Sequence, residues 1–274
     1  MDTHPQLSKA NLAQVAALVR DEAGIALTEA KAPLVHSRLS RRLTALGLND
    51  FSSYFDFVNG PKGAEERRKM LSALTTNVTR FFREPHHFEQ MAQDTLPPLL
   101  DRARQGGRVR IWSAGCSSGE EPYSIAATIL SLEPDAARMD IRILASDIDP
   151  EILAKARRGV YANDALGATP VKNVERFFDV TADGLSAGAA IRELISFREL
   201  NLVREWPMKG RFDIIFCRNV IIYFDQDVQA GLMSRFGGIL STGGALFIGH
   251  SERVSGPDTG RFERYGLTSY RLVN

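Results

Sequence analysis

The chain has 274 residues, of which 44% are hydrophobic and 24% are charged, a composition typical of a globular protein with one large and one smaller domain. Its net charge is only +1, which excludes a polycation. The two cysteines, Cys116 and Cys217, lie outside any CxxC spacing, which argues against a disulfide framework and a structural zinc site. No apolar run approaches the roughly 18 residues that a membrane span needs, and the N-terminus lacks the features of a signal peptide. We therefore expect a cytoplasmic protein without membrane insertion.

The first part of the chain has helical spacing throughout. Four amphipathic segments are separated by Gly24, by Gly47 and by the break at residues 59–63. No strand-like alternation interrupts them. The pattern predicts an all-helical N-terminal domain over residues 1–76, followed by a connector over residues 77–90.

From residue 91 to residue 274, short β-rich runs alternate with helical ones. Apolar strands at this spacing, each followed by a helix, are typical of βαβ units and of a doubly wound, mostly parallel sheet. Residues 160–200 are irregular and break this rhythm. They predict an insertion between two strands.

The residues that follow four of the predicted strands, where doubly wound sheets bind their ligands, are mostly small, acidic or amide, and cations are scarce among them. These residues are Gly115, Gly119, Glu120, Glu121, Asp147, Asn201, Leu202, Arg218, Asn219 and Val220. An acid at the tip of the second strand, here Asp147, is able to accept hydrogen bonds from both ribose hydroxyls of an adenosine.

The first of these turns, "GCSSGEE", does not supply the G-x-G-x-x-G pattern of dinucleotide binding, and its two carboxylates would repel a phosphate. It fits an adenosine without phosphates that carries positive charge near the turn. S-adenosylmethionine, a sulfonium with an α-amino group, meets that description. Taken singly, each residue also has a structural interpretation: turn glycines, acids that favour the helix dipole, and an aspartate that caps the next helix.

Two clusters of side chains outside the strand ends are candidates for a function. Arg38, Arg41 and Arg42 share one face of a predicted helix, with no acid between residues 30 and 49. This basic face is either solvated or contacts an anionic partner, and its lack of aromatic residues disfavours nucleic acid. The His86–His87 pair has no third ligand at helical spacing, so we expect no metal site there.

Five motifs in chain order carry a family resemblance: "TTNVTRFFRE", "WSAGCSSGEEPYSIA", "ASDIDPEILAKARRGVY", "FDIIFCRNVIIYF" and "GHSE". Together they resemble the CheR family of chemotaxis receptor methyltransferases, over nearly the whole chain. The resemblance implies a Rossmann-like class I methyltransferase domain with a small antiparallel β-subdomain inserted at about residues 160–200. It also implies that an all-helical, receptor-facing domain precedes the methyltransferase domain, and that the connector contributes to the active site.

The same resemblance assigns roles to individual residues. It implies that Arg83 and Tyr223 lie nearest the transferred methyl group and that Arg38, Arg41 and Arg42 face the substrate. The implied cofactor contacts, to which the turn residue Gly115 is added, are Asn77, Thr79, Arg83, Glu121, Asp147, Asn201, Leu202, Asn219 and Val220.

The activity implied is methyl transfer from S-adenosylmethionine to glutamate side chains on the cytoplasmic methylation helices of bacterial chemoreceptors, with S-adenosylhomocysteine as the product. In some members of the family a glycine-flanked loop of the subdomain captures a pentapeptide at the receptor C-terminus. Here "DVTADGLSAGAAIREL" looks short for that loop, so we expect the enzyme to work independently of the pentapeptide. We also expect a monomer. The alternatives are a methyltransferase for another substrate, a non-catalytic scaffold or sensor that binds S-adenosylmethionine, and, least favoured, an NAD-dependent enzyme.

Overall fold

The computed structural model describes residues 5–167 and 169–273, so residues 1–4, 168 and 274 of the predicted domains lie outside the described part. Two units are present. One holds the residues up to Thr76 together with Tyr223–Asp225, and the other holds the remainder of the chain.

The smaller unit is helical, as its sequence predicts. Its helices are α1 (Lys9–Ala23), α2 (Ala32–Leu46), α3 (Phe51–Asn59) and α4 (Ala64–Leu74). Polar caps fix two of their starts, because the backbone N–H of Asn11 donates to the Ser8 side chain and that of Ser53 to Asp50. Helical spacing brings Val15, Leu39 and Phe55 into a fully buried core.

A buried ion pair links α2 to α4 within this unit. Arg42 donates to both oxygens of Glu66, from Nε to Oε1 at 2.9 Å and from Nη2 to Oε2 at 2.6 Å. The Tyr54 hydroxyl adds a third hydrogen bond at 3.0 Å, and Glu66 is only 4% exposed. Such a bidentate pair holds a carboxylate in an apolar core that would otherwise exclude it.

The free basic face expected for α2 therefore needs correction. Arg42 is occupied by Glu66, and Arg38 donates to the backbone oxygens of Ala73 (3.1 Å) and Thr75 (2.6 Å). Only Arg41 of the three is exposed. The stretch without acids suggested an unpaired basic face because the carboxylate that balances Arg42, that of Glu66, lies on α4 and not within α2.

The larger unit is built on a seven-stranded sheet. Its strands are β1 (Val109–Ala114), β2 (Ile141–Asp147), β6 (Ile195–Glu199), β7 (Phe212–Cys217), β8 (Leu240–Ile248), β9 (Phe262–Gly266) and β10 (Ser269–Leu272). Their order is β6-β2-β1-β7-β8-β10-β9, and the first five are parallel. The chain leaves β1 toward one edge and later returns to build the other half from β7. The direction of winding thus changes between β1 and β7, as in a doubly wound sheet.

Helices connect these strands as the alternation predicts. They are α5 (Pro85–Gln90), α6 (Leu96–Arg104), α7 (Glu120–Leu132), α8 (Pro150–Arg158), α9 (Ala189–Glu193) and α10 (Gln226–Ile239). A short π-helical turn, Met91–Thr95, joins α5 to α6. The second half of the predicted connector is thus the start of a longer helix.

The insertion forms its own three-stranded antiparallel sheet, which confirms the expected subdomain. Its strands are β3 (Val160–Tyr161), β4 (Phe178–Thr181) and β5 (Gly184–Ala187), in the order β3-β5-β4. The antiparallel hairpin of β9 and β10 at the edge of the large sheet was not predicted, because its strands are short and polar on one side. No helix within residues 5–167 and 169–273 has the length and hydropathy of a membrane span.

We predict that Arg42→Ala lowers the free energy of unfolding by about 3 kcal/mol, because it leaves the buried Glu66 carboxylate without its cation. Urea unfolding followed by circular dichroism measures this loss. Arg41→Ala, an exposed arginine one residue earlier, is the control and changes the same quantity by no more than about 0.5 kcal/mol. Equal effects of the two substitutions would contradict the role given to the ion pair.

Candidate functional site

The carboxyl ends of β1, β2 and β7 meet at the point where the winding changes direction. The backbone N–H groups of Gly115 and Cys116 both donate to the carbonyl of Ser146, at 2.8 and 2.9 Å. Gly115 has φ +82°, and a Cβ there would lie 2.4 Å from a methyl carbon of Val220. Only a glycine therefore lets the first turn and the end of β7 approach this closely. Two residues that the sequence placed at different strand ends are neighbours.

Asp147 ends β2 beside this turn, and its carboxylate is almost fully buried. Oδ2 accepts from the backbone N–H of Ser117 at 2.8 Å, and Oδ1 accepts from that of Asp149 at 3.0 Å. Burial raises the pKa of Asp147 to about 6, although these two hydrogen bonds oppose the shift. Each oxygen keeps an acceptor site for a ligand hydroxyl. Asp149, and not Asp147, caps α8, accepting from Glu151 at 2.9 Å.

The connector packs on the same turn through Asn77. Its side-chain amide donates to Asp149 at 3.0 Å, and its backbone carbonyl accepts from the Ser117 hydroxyl at 3.0 Å. Thr79 follows two residues later and is half-buried. The structure thus brings Asn77 to the first turn, near Asp147.

The acids of the first turn are less available than their sequence indicated. Glu121 is buried: its Oε1 accepts from the Ser113 hydroxyl at 2.7 Å, and its Oε2 from Nε of Arg218 at 2.7 Å. Burial raises the pKa of Glu120, whose carboxylate accepts from Ser118 at 2.7 Å. The idea that free carboxylates attract a cationic ligand here is corrected, because Arg218 offsets the charge of Glu121.

Arg83 lies in a sharply bent part of the connector. Its neighbours Phe82 and Glu84 have φ values of +49° and +56°, in the region that favours glycine. The Arg83 side chain is half-buried and donates to the carbonyl of Val78 at 3.0 Å, while its own carbonyl accepts from Arg218. The connector therefore presents Arg83 in a fixed bend and not on a loose linker.

Asn219 follows β7 in a left-handed conformation, with φ +60°. Its backbone N–H donates to Glu252 at 2.9 Å, and Glu252 also accepts from Gly249 at 2.5 Å and Ile222 at 3.2 Å. The Oδ1 atom of Asn219 is buried and has no hydrogen-bond partner. A buried acceptor without a partner is costly, so this atom marks a place for a ligand donor.

Asn201 and Leu202 follow β6 at the same end of the sheet. Leu200 N–H donates to the carbonyl of Asp147 at 2.9 Å, which brings this loop to β2. The Asn201 side chain accepts from the N–H of Val203 at 3.0 Å, and Leu202 is buried. Asn201 and Leu202 therefore lie at the carboxyl end of the sheet, as the sequence predicted.

Tyr223 belongs to the helical unit although it follows β7 closely in sequence. Its carbonyl accepts from the N–H of Ala26 at 2.8 Å, and Lys31 Nζ lies 5.5 Å from the centre of its ring. Its role beside the methyl group stays a prediction.

A cluster of possible metal ligands includes the two histidines. Ligand atoms of Glu84, His86 and His87 lie within 4.8 Å of one another, a grouping missed because Glu84 precedes the pair. However, Nδ1 of His87 faces Arg218 at 3.2 Å and Nε2 contacts the carbonyl of Leu267 at 3.0 Å. Burial, then the charge of Arg218, lowers the pKa of His87 to about 3. With both nitrogens engaged beside a cation, His87 does not fit a metal ligand.

Sequence reasoning assigned no role to Arg218, Glu252 and Ser117, which hold the predicted residues in place. A signal existed for two of them. Arg218 directly follows an apolar strand, and Glu252 stands just beyond another, where a charged residue needs a local partner. The backbone contact of Ser117 had no such signal.

Comparison with known proteins identifies the family of this chain. Residues 77–271 match the family described as CheR methyltransferase, SAM binding domain, and residues 10–75 match the CheR methyltransferase, all-alpha domain. The chain belongs to the CheR methyltransferase family. It is 53% identical to a probable chemotaxis protein methyltransferase of Rhizobium etli, over 93% of this chain and 97% of that protein. It is 40% identical to a chemotaxis protein methyltransferase of Escherichia coli K12, over 97% and 92%.

As a CheR methyltransferase, the chain uses S-adenosylmethionine, and the site fits that cofactor. Asp147 offers carboxylate oxygens at a strand end, Asn219 offers a buried acceptor, and Gly115 leaves the turn without a side chain. The comparisons do not support the non-catalytic alternative.

We predict that the affinity for S-adenosylhomocysteine falls about tenfold between pH 7 and pH 5, since a carboxylate of pKa about 6 must be ionised to accept two ribose hydroxyls. The affinity is nearly complete at pH 7, falls to about half of its full value at pH 6, and decreases further as the pH falls below this pKa. Titration calorimetry at several pH values measures this dependence.

The control is Asp147→Asn, which has no titrating group at this position. We expect it to bind about 10- to 100-fold more weakly at pH 7, because charge-assisted hydrogen bonds are lost. Its affinity is flat between pH 5 and pH 7. A wild-type affinity that does not change down to pH 5 would remove Asp147 from the cofactor contacts.

Proposed function

We propose that this methyltransferase esterifies glutamate side chains of bacterial chemoreceptors, with Asn77, Thr79, Arg83, Glu121, Asp147, Asn201, Leu202, Asn219 and Val220 as cofactor contacts. The observation that carries the proposal is the chemistry around Arg83. A cation there suits a substrate carboxylate, and the nearby Glu84 and His87 are poorly suited to remove a proton. The names of the relatives, chemotaxis protein methyltransferases, support the receptor as the substrate.

The groups beside Arg83 support an acceptor that is already ionised. His87 is neutral, with both nitrogens engaged. Burial alone would raise the pKa of Glu84, but the hydrogen bond from His250 and the charge of Arg218 lower it, so this carboxylate is a weak base. A hydroxyl or amine acceptor would need a base, whereas a glutamate with a pKa of about 4.3 needs none at pH 7.

When bound, S-adenosylmethionine supplies an electrophilic methyl group on a positively charged sulfur. The residues of the chain then have to align the substrate carboxylate and exclude water. In this proposal Arg83 orients the carboxylate through charge-assisted hydrogen bonds, and Tyr223 donates a further one. Too tight a grip would make the carboxylate less nucleophilic, so orientation is the favoured role.

Recognition of the receptor is proposed to rest on the exposed Arg41 and not on all three arginines of α2. Exposed cations contribute through long-range attraction to an acidic helix and are screened by salt. We also propose independence of a receptor pentapeptide, because only two residues, Ala182 and Asp183, connect β4 to β5.

The direct test incubates the purified protein with S-adenosylmethionine labelled in its methyl group and a cytoplasmic receptor fragment. We expect label in base-labile methyl esters on glutamate residues, located by mass spectrometry. Label that survives alkali would indicate another acceptor and overturn the proposal.

We predict that Arg83→Ala lowers kcat about 10- to 100-fold, the cost of losing one charge-assisted contact to the substrate. Its affinity for S-adenosylhomocysteine changes much less. Arg80→Ala is the control, since Arg80 is an exposed arginine of the same connector. A loss confined to cofactor affinity would make Arg83 a binding residue only.

We further predict that Arg41→Glu raises the receptor KM about three- to tenfold at low salt, because reversal replaces an exposed attraction with a repulsion. The difference from wild type shrinks as salt is added. Lys62→Glu makes the same charge change at another exposed position of the helical unit. An equal effect at Lys62 would point to net charge and not to α2.

A further inference from the structure

Arg218 is buried in a way that no other described lysine or arginine of this protein is. It is 6% exposed, whereas every other lysine and arginine within residues 5–167 and 169–273 is at least partly open to solvent. A guanidinium is costly to bury unless its donors are all directed at acceptors. The acceptors that Arg218 meets therefore indicate what it is for.

Its contacts join three separate segments at the site. Nε donates to Glu121, the acid at the start of α7, at 2.7 Å. Nη1 donates to the backbone carbonyl of Arg83 and faces Nδ1 of His87 at 3.2 Å. The aromatic ring of Phe88 packs against the guanidinium, 5.2 Å from its carbon. One side chain thus connects the cofactor turn, the end of β7 and the connector.

The carbonyl that Arg218 holds lies at the most strained point of the connector. Phe82 and Glu84, on either side of Arg83, both have positive φ, which non-glycine residues adopt only when their surroundings enforce it. Phe82 is fixed by a hydrogen bond from its N–H to Ser124 at 3.0 Å. Arg218 fixes the peptide unit between Arg83 and Glu84 through the carbonyl of Arg83.

We propose that Arg218 is a positioning residue that holds the bent connector, and with it Arg83, in register with the cofactor turn. This inference rests on the catalytic role proposed for Arg83. It gives Arg218 no contact with substrate or cofactor, and it places the effect of Arg218 on turnover and not on cofactor affinity.

A lysine is unable to replace this residue. Its single ammonium still neutralises Glu121, but it does not reach a carboxylate, a carbonyl and an imidazole in three directions as a planar guanidinium does. Arg218→Lys therefore separates the charge of the residue from its geometry.

The first experiment compares Arg218→Lys with wild type by steady-state kinetics and calorimetry. We expect kcat to fall about tenfold, and no further than in Arg83→Ala, because Arg218 acts through Arg83 and a displaced group loses only part of its effect. Affinity for S-adenosylhomocysteine stays within about threefold. Amide hydrogen exchange of residues 78–84 accelerates, since the bend loses its anchor.

Arg192→Lys is the matched control. Arg192 also donates to backbone carbonyls, but these lie away from the connector: that of Arg157 in α8 at 2.8 Å and that of Ala187 in β5 at 2.5 Å. We expect this variant to keep its kcat and its exchange over residues 78–84, even where its melting temperature falls. A second variant, Arg218→Ala, is tested for recovery of kcat when guanidinium is added, and methylammonium serves as the comparison.

Two results would overturn the proposal: a folded Arg218→Lys with unchanged kcat and exchange, or a loss of kcat that only follows the loss of cofactor affinity. The proposed function fails separately, when wild type forms no base-labile ester on the receptor fragment. Amide exchange then still decides whether Arg218 holds the connector.

Discussion

The close approach of the first glycine turn to the end of β7 is the constraint on which the site depends. Parallel strands that wind in opposite directions leave a crevice where their carboxyl ends diverge. Gly115 allows Val220 to fill one side of that crevice, and Asp147 ends the strand on the other side. A side chain at position 115 would separate the strand ends and move both Val220 and Asp147. The other contacts of the site therefore depend on a glycine at this position.

In each unit a buried carboxylate forms an ion pair with an arginine of the same unit. Glu66 is held by Arg42 in the helical unit, and Glu121 is held by Arg218 in the other. In both places a carboxylate in an apolar setting receives a guanidinium at hydrogen-bond distance, which is what makes its burial tolerable. The consequence for function is that an arginine near a candidate surface or site is not thereby available to a ligand. Arg41 is exposed to solvent, whereas Arg218 is buried and already paired with Glu121.

The site is suited to a reaction that needs alignment more than proton transfer. Its buried acids differ in role: Asp147 keeps acceptor sites, Glu252 organises the loop after β7, and burial raises the pKa of both carboxyls. The connector adds a strained backbone held by side chains from two other segments. Strain of this kind at a bend persists only where the surroundings enforce it, and here it lies next to the residue proposed to orient the substrate.

Local patterns in the sequence determined the classes of structure: helical periodicity over the first 76 residues, strands alternating with helices afterwards, and an acid at the tip of the second strand. These features depend on neighbouring residues and on their burial, so they can be read along the chain. The partners of the charged groups were decided by the tertiary structure alone. Arg42 meets Glu66 across 24 positions, and Arg218 meets Glu121 across 97. No local period encodes such pairs, because an ion pair requires only that two side chains meet in space, and the packing of helices and strands decides which ones do.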